Sequence, residues 1–171
     1  VEMAICRYVH DVVPAGNGGR AHLASHLRIH SLAQRVGREA HRMKGFVRFK
    51  QTADDRFLAL VAPRYDVLPL VRRHFEKRFA DQAWIIYDTQ RNYGLCYDRH
   101  RTRELTLDAN ALKTIRSDPS ASERLSQTLW QRYFAAVNIA QRTNPGLHLS
   151  KLPRRYWRYL TEKKRDESFP Q

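Results

Sequence analysis

The chain has 171 residues, enough for one domain with a real core, and 42% of them are apolar. Its 31 lysines and arginines, mostly arginine, stand against 17 acids, a net charge of +14 that implies a polyanionic partner, DNA or RNA above all. Two isolated cysteines exclude a disulfide framework and a thiolate metal site and suit a reducing, cytoplasmic setting; no apolar run is long enough for a membrane span, and nothing at the start reads as a signal peptide.

Residues Val1 to Val13 place Met3, Ile5, Cys6, Val9, Val12 and Val13 at helical spacing, and Pro14 with the nearby glycines ends that helix. The chain opens inside this helix, as a piece of a longer protein would. His22, His26 and His30 fall four apart, a spacing that metal ligands can use, but no cysteine or carboxylate partner sits at ligand distance in the sequence, so no metal is expected. Ile29, Leu32, Ala33, Val36, Ala40 and Met43 then mark the buried stripe of a second helix, with Gly45 at its expected stop. Arg35, Arg38 and Arg42 line up on its other side as a basic ridge.

After Gly45 the period changes to that of a strand. Phe46–Lys50 and Phe57–Val61 flank Thr52-Ala53-Asp54-Asp55, a hairpin turn. A helix over Val67–Phe75 comes next, with Asp66 as its expected cap and Pro69 in its first turn. Ala83–Asp88 and Tyr93–Asp98 form a second hairpin, and Arg103–Leu107 adds an edge strand. Ser120-Ala121-Ser122-Glu123 has capping-box spacing and opens a long helix whose apolar face carries Leu125, Leu129, Tyr133 and Val137. This helix ends before Asn144-Pro145, and a last short one starts at Pro153. The reading is an α+β domain over residues 1–162, an antiparallel sheet of four to five strands with a β-β-α-β-β core. Helices at both ends complete the core, and 163–171 is a charged tail.

The densest stretch runs from Trp130 to Glu162, where large aromatics meet arginines. Its expected role is double, a lid on the core along one face and a nucleic-acid surface along the other. Trp84 and Trp130 are expected as core anchors. Arg35, Arg38, Arg42, Lys44 and Arg48 gather at one helix–strand junction and Arg154, Arg155 and Arg158 at another; with Arg91 these are the candidate phosphate contacts. Tyr87, Tyr93, Tyr156 and Trp157 are candidates for stacking on an unpaired base. Phosphate loops, dinucleotide fingerprints, zinc-protease and nucleophile-elbow motifs are absent from the sequence, and no cofactor is expected. The one acid–base combination open to nomination is Glu39, His41, Asp66 and Asp88.

Several motifs together carry a resemblance: GFVRF at Gly45–Phe49, YDVLPL at Tyr65–Leu70, the Trp84–Asp88 and Tyr93–Asp98 hairpin, WxxYFxxVNI at Trp130–Ile139, and LPRRYWxYLTE at Leu152–Glu162. In order and spacing they resemble an uncharacterised bacterial family of DNA-metabolism domains. Members occur fused to, or encoded beside, proteins of the uracil-DNA glycosylase superfamily, and accompany a DNA-repair radical-SAM protein. The resemblance implies DNA-repair company and supplies no catalytic residues. The leading expectation is therefore a DNA-binding accessory module in base-damage repair. The alternatives are a DNA-processing enzyme using His41 with a nearby carboxylate, and a docking module for the glycosylase or radical-SAM partner.

Overall fold

The computed structural model describes residues 20–52, 56–108, 121–137 and 144–163. The helix expected over Val1–Val13, the tip of the first hairpin, Ser120 and the charged tail beyond Lys163 lie outside them. Helix α1 spans Arg20–Phe46 without interruption and runs past Gly45. The apolar spacing decides which side of it faces inward. Leu32 and Val36 are half-buried, while Ala40 and Met43 are buried against the core.

The five strands are β1 (Lys50–Gln51), β2 (Phe57–Val61), β3 (Trp84–Asp88), β4 (Tyr93–Tyr97) and β5 (Thr102–Leu105), in the spatial order β1-β2-β3-β4-β5. The class is α+β, as expected, but the sheet is mixed. β2 and β3 run parallel, with Phe57 opposite Trp84 and Val61 opposite Asp88, whereas the other three pairs are antiparallel. The reason is α2 (Leu68–Arg78), which carries the chain back along the sheet before β3 begins, so that the two strands start from the same end. β1 is also shorter than expected. The residues from Phe46 to Phe49 continue and leave α1 rather than pair, and the arms of the first hairpin meet only at Lys50↔Leu58 and Gln51↔Phe57.

The core lies between the sheet and the two helices. Val67, Leu68, Val71 and Phe75 from the start and inner face of α2 meet Ala59 and Val61 of β2, Trp84 and Ile86 of β3, Leu95 and Tyr97 of β4, and Ala40 and Met43 of α1. Phe49 packs edge-on to Phe75 and Phe79, with centroids at 5.8 and 5.1 Å. β3 is buried along its whole length, including Ile85 and Tyr87, whose side chains leave from the opposite face. Gly94 stands opposite Tyr87, and a Cβ there would lie 2.7 Å from the Ile86 carbonyl oxygen, so only glycine lets the two strands close at this point.

Asp66 does not cap α2. Its N-cap is Val67, without a side-chain hydrogen bond, and Asp66 instead accepts from the Tyr93 hydroxyl. α3 (Ala121–Ala136) leans on the end of the chain through one edge. The Trp130 indole donates to Glu162 at 3.0 Å and the Gln131 amide to the Thr161 carbonyl at 3.0 Å. Trp130 is thus a half-exposed strut and not the core anchor expected of it. The stripe Leu125, Leu129, Tyr133 and Val137 is exposed as well. α4 (Pro145–Lys151), which the sequence pattern did not lead us to expect, begins at Asn144, whose Oδ1 accepts from the Leu147 amide at 2.9 Å. The last helix, expected from Pro153, is two short 3-10 segments, Arg154–Tyr159 and Thr161–Lys163.

Candidate functional site

Parallel strands end together, so the loops that leave them share one end of the sheet. Ala62–Arg64 leaves β2 and Thr89–Arg91 leaves β3 at the same end, where the chain also turns sharply through Asn92, at φ 56°. The first 3-10 segment lies across both exits. The Tyr159 and Thr89 hydroxyls share a hydrogen bond of 2.8 Å, and the Thr89 amide and hydroxyl both donate to the Val61 carbonyl, at 2.9 and 3.2 Å. Between these parts opens a cleft of about 470 Å³ lined by Ala62, Arg64, Gln90, Arg154, Arg155 and Arg158. Four of its six walls are arginine and none is acidic.

Two buried carboxylates hold those walls. Glu39 reaches from α1 with 2% of its surface exposed. It accepts from the Arg64 and Tyr65 amides at 2.8 and 2.9 Å, from the Tyr156 hydroxyl at 2.5 Å and from the Arg155 guanidinium at 3.3 Å. One carboxylate therefore fixes both the loop after β2 and the 3-10 segment. Burial, and then the bond to Glu39, push the Tyr156 hydroxyl up from its ordinary pKa against the pull of Arg155, so it serves as a donor. Asp88, with 0% exposure, accepts from the Gln90 and Arg91 amides at 2.8 and 3.3 Å and from the Arg91 guanidinium at 2.7 Å. Arg91 also donates to the Pro63 and Arg64 carbonyls, at 3.1 and 2.8 Å, and so ties the two exits together.

The arginines of the cleft are arranged differently from Arg91. Each sits over the ring of a neighbouring aromatic: Arg64 over Tyr65 at 5.7 Å, Arg154 over Trp157 at 5.8 Å, Arg155 over Tyr156 at 4.6 Å and Arg158 over Tyr159 at 4.7 Å. A ring beneath a guanidinium restrains it without occupying its N–H groups. The side chains of Arg64, Arg154 and Arg158 make no hydrogen bond or ion pair with any described residue and remain able to donate. Guanidiniums so placed can donate together to an anion with several acceptor oxygens, such as a phosphate.

None of the other candidates lines this cleft. Arg35, Arg38 and Lys44 are exposed on α1. Arg42, from the same helix, donates to the Ser150 carbonyl at 3.3 Å and braces α4. Arg48 is paired with Glu162 at 2.8 Å and also donates to the Gly45 carbonyl at 2.7 Å. Trp157 lies beneath Arg154 and Lys163, its indole N–H donating to the Leu152 carbonyl at 3.0 Å, so its ring is already covered. Burial, reinforced by the bond to Asp66, pushes the Tyr93 hydroxyl up from its ordinary pKa. His41 is exposed on α1 and makes no hydrogen bond or ion pair with Asp66 or Asp88, while Glu39 and Asp88 are filled with structural donors. His22 and His26 lie in the first turns of α1, where side chains fall outside the described set. Among the described residues no group of three or more potential metal ligands occurs, and no helix is long and apolar enough to cross a membrane. Sequence reasoning missed Arg64 and Gln90, single residues in loops that only the parallel pairing brings to the 3-10 segment.

A family model described as a domain of unknown function, DUF4130, matches residues 1–162, and the chain belongs to that family. No curated protein and no solved structure matches it.

Proposed function

We propose that this DUF4130 chain is a DNA-binding accessory module of base-damage repair that holds backbone phosphate in the arginine cleft. The observation that carries the reading is the convergence of Arg64, Arg154, Arg155 and Arg158 on one concavity without an acidic wall residue. The net charge of +14 agrees with it, because a surplus of that size attracts polyanions over a Debye length of about 10 Å at moderate salt. Arg35, Arg38 and Lys44 add exposed positive charge on α1. Its company in repair, a uracil-DNA glycosylase-superfamily protein or a radical-SAM protein, is taken from the motif resemblance.

The test is a fluorescence-anisotropy titration of labelled single- and double-stranded DNA, with and without uracil, across a salt series. The expected result is salt-sensitive binding whose log–log slope flattens by about 1.4–1.8 when Arg154 and Arg158 are both replaced by alanine, since each phosphate contact contributes about 0.7–0.9. A slope that flattens only on replacing Arg35 and Arg38 moves the surface to the α1 ridge. Absence of salt-dependent binding to every DNA sinks the reading. If a glycosylase-superfamily protein then co-purifies after nuclease treatment, the module docks a protein, and the exposed stripe Leu125, Leu129, Tyr133 and Val137 is the surface it offers.

A further inference from the structure

We infer that the cleft receives the end of a DNA strand, with a terminal phosphomonoester as its ligand. The inference rests on the DNA-binding reading above and narrows it from backbone phosphate in general to one chemical group. Its first ground is convergence. A protein that tracks a duplex backbone spreads its cations along the phosphates, each of which carries one charge. Here four guanidiniums from two separate segments face one pocket of about 470 Å³. A phosphomonoester is the better match, because it carries about −1.5 to −2 at neutral pH and presents three strong acceptor oxygens.

The second ground is the way the charges are balanced. Glu39 offsets part of the charge of Arg155, at 3.3 Å, but its oxygens are filled by two amides, a hydroxyl and that guanidinium, and it is buried behind the wall. Asp88 is matched by Arg91, which does not line the cleft. Arg64, Arg154 and Arg158 therefore have no carboxylate partner among the described residues. Three unmatched cations around one small pocket are in excess for a monoanionic diester and suit a dianion.

The third ground is what the pocket lacks among its lining residues, which include no aromatic side chain. The rings of Tyr65, Tyr156, Trp157 and Tyr159 lie against the arginines, and the Tyr156 and Tyr159 hydroxyls are bonded to Glu39 and Thr89. A site for an unpaired base needs a free ring face or groups that read base edges. The Gln90 side chain alone adds amide chemistry to this cleft, and an amide N–H₂ also donates well to a phosphate oxygen.

The experiment compares one single-stranded oligonucleotide in 5′-hydroxyl, 5′-phosphate and 3′-phosphate forms, binding the full chain at fixed moderate salt, with inorganic phosphate as a competitor. The variant replaces Arg154 and Arg158 by alanine, both exposed and outside the buried carboxylate networks, and its thermal midpoint is measured alongside. The expected result is about tenfold tighter binding of a phosphorylated end, a gap of about 1.4 kcal/mol, which disappears in the variant. A preference for the 5′ or the 3′ phosphate identifies the terminus. Equal affinity for all three forms, lowered equally in the variant, overturns the inference and leaves the DNA-binding reading standing. Tight binding of inorganic phosphate with no preference among the oligonucleotides overturns it too. No DNA binding at all removes both.

Discussion

Arg91 and Arg158 are the same residue type at the same end of the sheet, and their surroundings give them opposite roles. Arg91 reaches a fully buried carboxylate and two backbone carbonyls, so its guanidinium is consumed inside the fold. Arg158 rests on the Tyr159 ring and bonds to no described residue. Arg48 belongs with Arg91, through Glu162 and the Gly45 and Val47 carbonyls, and Arg154 belongs with Arg158. A count of positive charge treats all four alike. The acceptor each has found separates the arginines that hold the protein from those that remain able to hold something else.

The largest effect that would sharpen this comparison is on stability at Arg91. Replacing it by alanine leaves Asp88, at 0% exposure, with only the amides of residues 90 and 91, and unties the loops after β2 and β3. Loss of one partner of a buried ion pair costs about 3 kcal/mol or more, or roughly 6–12 °C in the melting temperature of a domain of this size. Adding Asp88→Asn to Arg91→Ala is expected to recover part of the loss, because an amide needs no counter-charge. A melting temperature for Arg91→Ala within about 2 °C of the wild type would break the comparison at its firmest point.

How much of this was legible in the sequence depends on the kind of information each signal carries. The later part of the α1 stripe, at Ala40 and Met43, and the runs of β2, β3 and β4 were readable because periodicity reports which side of an element is apolar. Trp84 behaves as the core anchor expected of it, although Ala33 of the α1 stripe is exposed. Periodicity does not report what covers that side. The stripe from Leu125 to Val137 has the spacing of a core face and is exposed. The parallel pairing does leave a trace: Trp84-Ile85-Ile86-Tyr87 is an unbroken apolar run, the pattern of a strand buried on both faces. α4 had its own signal in Asn144-Pro145, a cap with a proline directly after it. The arginines at 154, 155 and 158 were visible as a cluster because they are neighbours in the chain. Arg64 and Gln90 join them through strand register alone, which no local pattern encodes. Glu39 was visible as a carboxylate, but only the packing of α1 against the loop after β2 reveals it as the post to which two walls of the cleft are fastened.

A smaller effect belongs to Arg48 and is best read through pH. Burial pulls the Glu162 carboxyl upward, but the Arg48 guanidinium and the Trp130 indole outweigh it and hold the group below its ordinary value of 4.5. A carboxylate depressed in the folded state contributes stability that is present above the unfolded value and is lost as pH falls through the folded one. Glu162→Gln is therefore expected to be about 1–2 kcal/mol less stable than the wild type at neutral pH, with the gap closing as the solution is acidified below 4.5. Glu76 and Asp98, also held low, add acid sensitivity that both proteins share, so the difference between the two denaturation curves isolates Glu162. A gap that stays constant down to about pH 3 would mean that Arg48 and Glu162 meet without coupling.

The smallest effect is the one on which the division of the arginines depends most. Arg154 and Arg158 bond to no carboxylate or backbone carbonyl among the described residues, and an exposed guanidinium over a ring stabilises by about 0.5–1 kcal/mol at most. Part of that returns when the side chain regains its rotamer freedom in the unfolded chain. Arg158→Ala is thus expected to lie within about 0.5 kcal/mol of the wild type in denaturant titrations, with unchanged sensitivity to denaturant. A loss approaching that of Arg91→Ala would place Arg158 among the arginines that hold the fold, and the ring contact with Tyr159, which hydrogen-bonds Thr89 at the exit of β3, would be its route. A neutral result leaves at the cleft a guanidinium that the folded chain does not need, which is what the phosphate-binding proposal requires of Arg158.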